Sequence, residues 1–216
     1  MIYMEKIRDY VSENQANAPL YTLKHIFPAT ERGLDLAFEL EADPGVVEAG
    51  LLLHDIGYHK TYESKEKDHI IRGMAIASDL LSSKLNLPMD YANAVIDTIR
   101  THDGRLESIS PIENIIVNDA DQVAVFAELP WMYELMRTAF KMSHERALSG
   151  CLQEAWKSYN KVISLDYTKE RFEQEYELTK QWLKRQVSMV PKESLYKNPP
   201  REDSEETFKF LEELLA

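Results

Sequence analysis

The sequence predicts an all-α fold, and two observations carry that prediction. Apolar residues recur at helical spacing through long segments of the 216 residues, while strict apolar–polar alternation is hard to find. Only seven glycines occur, and a hydrophobic content of 44% with 29% charged residues is ordinary for a chain that buries a core. The length suits one domain, or one domain with a substantial extension.

The elements follow in chain order. Residues 2–15 carry Ile2, Ile7, Tyr10 and Val11 on a polar background, a modest amphipathic helix. In "HIFPATERGLDLAFELE" Pro28 is tolerable only in a first turn, so the second helix is expected to begin near His25. "DPGVVEAGLLLHDIG" opens with Asp43 as N-cap and Pro44 at the first helical position, and Gly57 is expected to end the run. Asp68 is the expected N-cap of "HIIRGMAIASDLLSSKL", with positions 70, 74, 77 and 81 forming its core stripe and Pro88 breaking it. "MDYANAVIDTIRTHDG" turns Ala94, Ile96 and Ile99 inward and stops at Gly104. Ser110-Pro111 caps the helix that runs to Pro130.

Beyond residue 130 the pattern stays helical, with Trp131, Tyr133, Phe140, Trp156, Tyr159, Phe172, Tyr176 and Trp182 as large packing residues. "VPKESLYKNPPREDSEE" reads as a linker or wrapping arm, and "EETFKFLEELLA" as a short terminal helix. The expected organisation is a core over 1–130, a helical extension packed on it over 131–190, and an arm with a short helix over 191–216.

A formal net charge of −12 disfavours nucleic-acid and membrane-surface partners, while a small anionic substrate remains compatible if a cation and local basic residues outweigh the field. The single Cys151 cannot form an intrachain disulfide, and no signal peptide or membrane-length apolar run is present, so the expected location is the cytoplasm.

Residues able to ligate a metal stand at helix ends or on apolar helices: His25, His54, Asp55, His69, His102 and Asp121. A bundle builds a metal site by converging inward-pointing ligands from several helices. Imidazole nitrogen with carboxylate oxygen suits Mn, Fe, Co, Ni or Zn, Mg is also possible, and the absence of thiolates excludes a cysteine-type structural zinc site. Neighbours on a helix project about 100° apart, yet at a fraying C-terminus His54 and Asp55 can still reach one ion. Gly73 stands one turn after His69 on the same face and leaves room for another helix or a ligand.

His25, the "HD" pair at 54–55 within "AGLLLHDIGY", and the aspartate of "NDADQV" resemble the H…HD…D signature of the HD-domain superfamily of metal-dependent phosphohydrolases. The likeness spans residues 20–130 or so. It implies a helical bundle and a metal set of His25, His54, Asp55 and Asp121. Asp121 rather than Asp119 is the match, and residues two apart on a helix face nearly opposite ways. His69 and His102 match positions that hold a second ion in some members. The resemblance implies hydrolysis of a small phosphate ester, such as a nucleotide, with Asp55 holding or bridging ions and His69 or His102 moving a proton. "THDGRLES" replaces the "GYP" motif of the cyclic-dinucleotide subgroup, so that specificity is not implied.

Lys60, Arg72 and Arg105 lie near these ligands in sequence and are candidates to hold phosphate, against the plainer reading of each as a solvated charge. His59 and His144 match no motif and are expected at the surface. Two alternatives stay open: a di-iron oxygenase similar to inositol oxygenase, which also uses four histidines and two aspartates, and a non-enzymatic metal-stabilised binding module. Whether the extension makes a homodimer is also left open.

Overall fold

The computed structural model describes residues 2–15, 20–59, 68–196 and 204–215, and among them the regular structure is helical, with one isolated bridge between Gln15 and His59. The chain divides into two compact units, Met1–Ala124 and Val125–Ala216.

In the first unit α1 (Ile2–Asn14) is followed by a π turn (Thr22–Ile26) that runs directly into α2 (Phe27–Glu39). The second helix therefore starts earlier than Pro28 suggests. The Phe27 N–H bonds back to the Thr22 carbonyl, five residues away, and this widened turn relieves the crowding that a proline imposes on the preceding turn. His25 thus lies inside a helical run rather than at its start.

Helix α3 (Pro44–Leu53) is capped as its sequence requires: Asp43 Oδ1 accepts from the N–H of Gly45 at 2.8 Å and of Val46 at 3.3 Å. Val46, Val47, Ala49 and Leu51–Leu53 are all buried, so the helix is apolar around most of its circumference, with Glu48 at its partly exposed edge paired to Arg8 at 2.8 Å. It ends at Leu53, ahead of Gly57, and a 3₁₀ turn (Ile56–Tyr58) follows. Gly57 serves close approach instead of termination. A Cβ there would lie 1.8 Å from the His69 carbonyl oxygen and 3.0 Å from the Gly73 nitrogen. The space above Gly73 is accordingly filled by this turn and not by a ligand.

Helix α4 (His69–Ser78) is capped by Asp68, which accepts from the Ile70 N–H at 2.9 Å, and it continues through a π turn (Asp79–Lys84). Asn86, in the left-handed region at φ 52°, ends the run before Pro88 is reached. In α5 (Met89–Thr101) the buried face is Ala92, Val95, Thr98 and Ile99; Ala94 and Ile96 are only partly buried. Asp103 and Gly104, at φ 57° and 77°, turn the chain out of α5. The Ser110 hydroxyl bonds the backbone of Glu107, so it closes the preceding loop, while α6 (Ile112–Ala127) starts after Pro111.

The second unit contains α7 (Leu129–Thr138), α8 (His144–Trp156) with a π-turn extension, α9 (Asp166–Arg171), α10 (Glu173–Ser188), α11 (Lys192–Tyr196) and α12 (Ser204–Leu215). Its core gathers Leu129, Leu148, Leu152, Leu183, Val187 and Leu211, and Tyr133 sets its ring edge-on to Trp182. Phe140 is 63% exposed and does not join it. A helix, α11, stands within the stretch read as an arm, whose residues 197–203 lie outside those described. Burial pushes the free Cys151 thiol up to about 12, so it stays protonated. No helix among the described residues is long and apolar enough to cross a membrane.

Candidate metal centre

The site begins with two histidines placed by the same local device. His54 follows the last residue of α3 and its Nδ1 lies 2.7 Å from the Leu51 carbonyl; His102 follows the last residue of α5 with its Nδ1 2.6 Å from the Ile99 carbonyl. A carbonyl only accepts, so each ring proton sits on Nδ1 and satisfies one of the orphan acceptors of a helix end. The lone pair of each Nε2 is left to face inward. Asp55 comes next in the chain with φ −103° and ψ 11°, in the sparsely populated bridge region where active-site residues recur.

Two clusters result, and within each the ligand atoms lie within 4.8 Å of one another: His25, His54 and Asp121; and Asp55, His69 and His102. In the first, His25 Nε2 is 3.1 Å from His54 Nε2, and Asp121 Oδ1 is 3.2 and 3.4 Å from the two nitrogens. Gln122 Nε2 donates to Asp121 Oδ2 at 2.9 Å, which leaves Oδ1 as the inward oxygen. In the second, Asp55 Oδ1 is 3.5 Å from His69 Nε2 and 3.7 Å from His102 Nε2. Asp55 Oδ2 faces the first cluster, 3.5 Å from His54 Nε2 and 3.9 Å from His25 Nε2. One carboxylate therefore has an oxygen toward each group.

All of these residues are buried except His69, which is partly exposed. Burial alone drives the Asp55 and Asp121 carboxyls upward, but the surrounding imidazoles outweigh it and hold both below the ordinary carboxylate range. Burial pushes His102 down, and the Asp55 and Asp121 carboxylates more than reverse it; at His69 burial wins and the shift is downward.

Asp119 points elsewhere, accepting from Asn118 Nδ2 at 3.1 Å, while Asn118 Oδ1 accepts from the Gly104 N–H and so ties down the loop after His102. Arg105 donates to Asp68 Oδ2 at 2.9 Å. Arg72 has its Nε buried without a hydrogen-bond partner among the described residues. Lys60 lies outside the described residues. His59 and His144 are half-buried rather than superficial, each against a tyrosine hydroxyl, Tyr10 and Tyr133 respectively.

Three residues escaped sequence reasoning. The Tyr21 hydroxyl donates to Asp55 Oδ2, Gln15 Nε2 donates to the Asp55 carbonyl at 3.0 Å, and the Tyr58 ring stacks on His69 with centroids 4.6 Å apart and planes at 11°. Tyr21 lies four residues before His25 and Tyr58 closes the "AGLLLHDIGY" stretch, but neither position by itself marks a role.

The donor set fits a divalent cation. His102 Nε2 is buried with no hydrogen-bond partner among the described residues, a condition that costs about 1–3 kcal/mol unless something accepts its lone pair. Nitrogen and carboxylate donors together are those of the intermediate divalent ions.

Residues 22–125 match the family described as HD domain. No curated protein matches the chain. Among solved structures the chain is similar to the crystal structure of Bacillus subtilis YpgQ in complex with ADP, with a TM-score of 0.59 and 18% identity over 88% of this chain and 98% of that one. At that identity the likeness is one of fold.

Proposed function

With residues 22–125 forming a domain of the HD family of metal-dependent phosphohydrolases, we propose that this protein hydrolyses a small phosphate ester, of which a nucleotide is one, using one or two divalent ions. The observation that supports it most is the meeting of His25 Nε2, His54 Nε2 and Asp121 Oδ1 beside an Asp55 carboxylate that faces both clusters. His25, His54, Asp55 and Asp121 are the residues that would hold the first ion, and His69 and His102 with Asp55 the second. When bound, such an ion brings the acidity of water toward neutral pH and polarises a phosphoryl oxygen.

The chain's own residues do the rest. Asp55 keeps the two groups in register, an oxygen toward each. His69, partly exposed and with burial lowering its pKa, is neutral near pH 7 and is the histidine open to exchanging a proton with the reaction when the second position is empty. Arg72, three residues after His69 on α4, has a buried Nε with no hydrogen-bond partner among the described residues and is the basic side chain proposed to meet a phosphate oxygen. Arg105 is the weaker candidate because Asp68 already engages it. The ADP complex of YpgQ supports a phosphate-bearing ligand for this fold, and the reduced, buried Cys151 fits a cytoplasmic setting.

The test is purified protein supplied with Mn, Co, Ni, Zn or Mg and a panel of nucleotides, phosphomonoesters and phosphodiesters. Turnover that depends on the metal and disappears in His54→Ala and Asp55→Ala proteins is expected. Turnover unchanged in those variants contradicts the assignment. A di-iron oxygenase is the second reading, supported by the four-histidine, two-aspartate composition of the paired clusters. It predicts two irons per chain and oxygen uptake without phosphate release.

A further inference from the structure

Asp55 is the residue on which a paired centre depends, because its two oxygens face different clusters. Its backbone is anchored: Gln15 Nε2 donates to its carbonyl at 3.0 Å. Its side chain is a different matter. Rotation of a carboxylate about its last bond is soft. A modest turn would present both oxygens to one cluster and none to the other. Beyond the histidines, the side-chain donor that reaches this carboxylate among the described residues is Tyr21, through its hydroxyl to Oδ2.

Tyr21 directly precedes the π turn Thr22–Ile26 that contains His25, and the Tyr21 and His25 rings lie with centroids 5.0 Å apart. The turn between them is a wide one, marked by the Phe27 N–H to Thr22 carbonyl bond. The phenol suits a fixed donor, since a tyrosine hydroxyl carries a proton that a carboxylate oxygen can accept. A carboxylate oxygen has two lone-pair positions, so accepting from Tyr21 leaves one at Oδ2 for a cation.

We propose that Tyr21 is a positioning residue that holds Asp55 as a bridge, one oxygen for each of two ions. The proposal rests on the metal-centre reading above. It predicts that Tyr21 governs whether two ions are held as a coupled pair, which a merely structural tyrosine would not.

The experiment is titration of metal-free wild-type and Tyr21→Phe proteins with Mn(II), followed by calorimetry and by electron paramagnetic resonance, with the melting of each metal-free protein as the check on folding. The wild type is expected to take up two ions with an exchange-coupled spectrum. Tyr21→Phe is expected to melt cooperatively, to bind at least one of the ions about tenfold or more weakly, and to lose the coupling, the size of effect usual when a residue behind a metal ligand is removed. Should Tyr21→Phe fail to fold, Tyr21→Leu, which also lacks the donor, is expected to show the same loss. Two coupled ions bound by the variant as tightly as by the wild type overturn the proposal. A wild type that takes up a single ion overturns it too, while leaving the metal centre in place; a wild type that takes up none removes both.

Discussion

His25 Nε2 stands 3.1 Å from His54 Nε2, with Asp121 Oδ1 within 3.4 Å of both. His54 Nδ1 is engaged with the Leu51 carbonyl, so its Nε2 brings a lone pair to this point. Two ring nitrogens and a carboxylate oxygen that converge on one buried point are a donor set that a divalent ion would bind.

Metal binding is therefore expected to stabilise the fold and to release protons. With free Mn(II), Co(II) or Ni(II) at a hundred times its dissociation constant, the unfolding free energy is expected to rise by about 2.7 kcal/mol. Chemical denaturation with and without chelator measures it. His54→Ala should abolish the increment, and a wild type indifferent to every such ion would refute the expectation.

Acid acts on the metal-free protein through the two carboxylates. The imidazoles hold Asp55 and Asp121 below their ordinary values against the upward push of burial. A carboxyl with a folded pKa below its unfolded value of about 3.9 contributes stability above that pH, lost as pH falls toward the folded value. Melting temperature in chelator is thus expected to drop below about pH 4, and Asp121→Asn should flatten the drop. An equal slope in the variant would count against it.

Gly57→Ala is expected to destabilise by roughly 3 kcal/mol or more, because the new Cβ would sit 1.8 Å from the His69 carbonyl oxygen and 2.6 Å from its carbon, both backbone atoms with little room to yield. The displaced α4 carries His69 with it. Urea melts read the first effect and Mn(II) stoichiometry the second; a variant as stable as wild type would show that the contact relaxes freely.

Arg72 and Arg105 separate by their partners. Arg72→Gln is expected to raise KM for a phosphate ester about tenfold to a hundredfold, the loss of one charge-assisted hydrogen bond. Arg105→Gln should change KM little, since its guanidinium is tied to Asp68 in an exposed pair worth less than about 1 kcal/mol. Equal effects from the two substitutions would rule out this assignment.

The helices and their caps were legible where a single side chain closes a local hydrogen bond, as at Asp43 and Asp68. The π turn before Pro28 was not, because it depends on how the turn yields to the proline ring and leaves no mark in apolar spacing. Gly57 was legible as a special position but not for its reason, which is the backbone of His69, distant in sequence. His54, Asp55 and Asp121 could be picked out by type and motif. Their distances could not, nor could Tyr21 and Gln15, whose roles arise only once α1 and the π turn meet the end of α3.

Anomalous scattering from a crystal soaked in Mn(II) or Co(II) is the direct test of the metal centre. A peak is expected bounded by the Nε2 atoms of His25 and His54 and by Asp121 and Asp55, with a second beside His69 and His102. Imidazoles of His25 and His54 turned apart, with no peak that touches both, would contradict it.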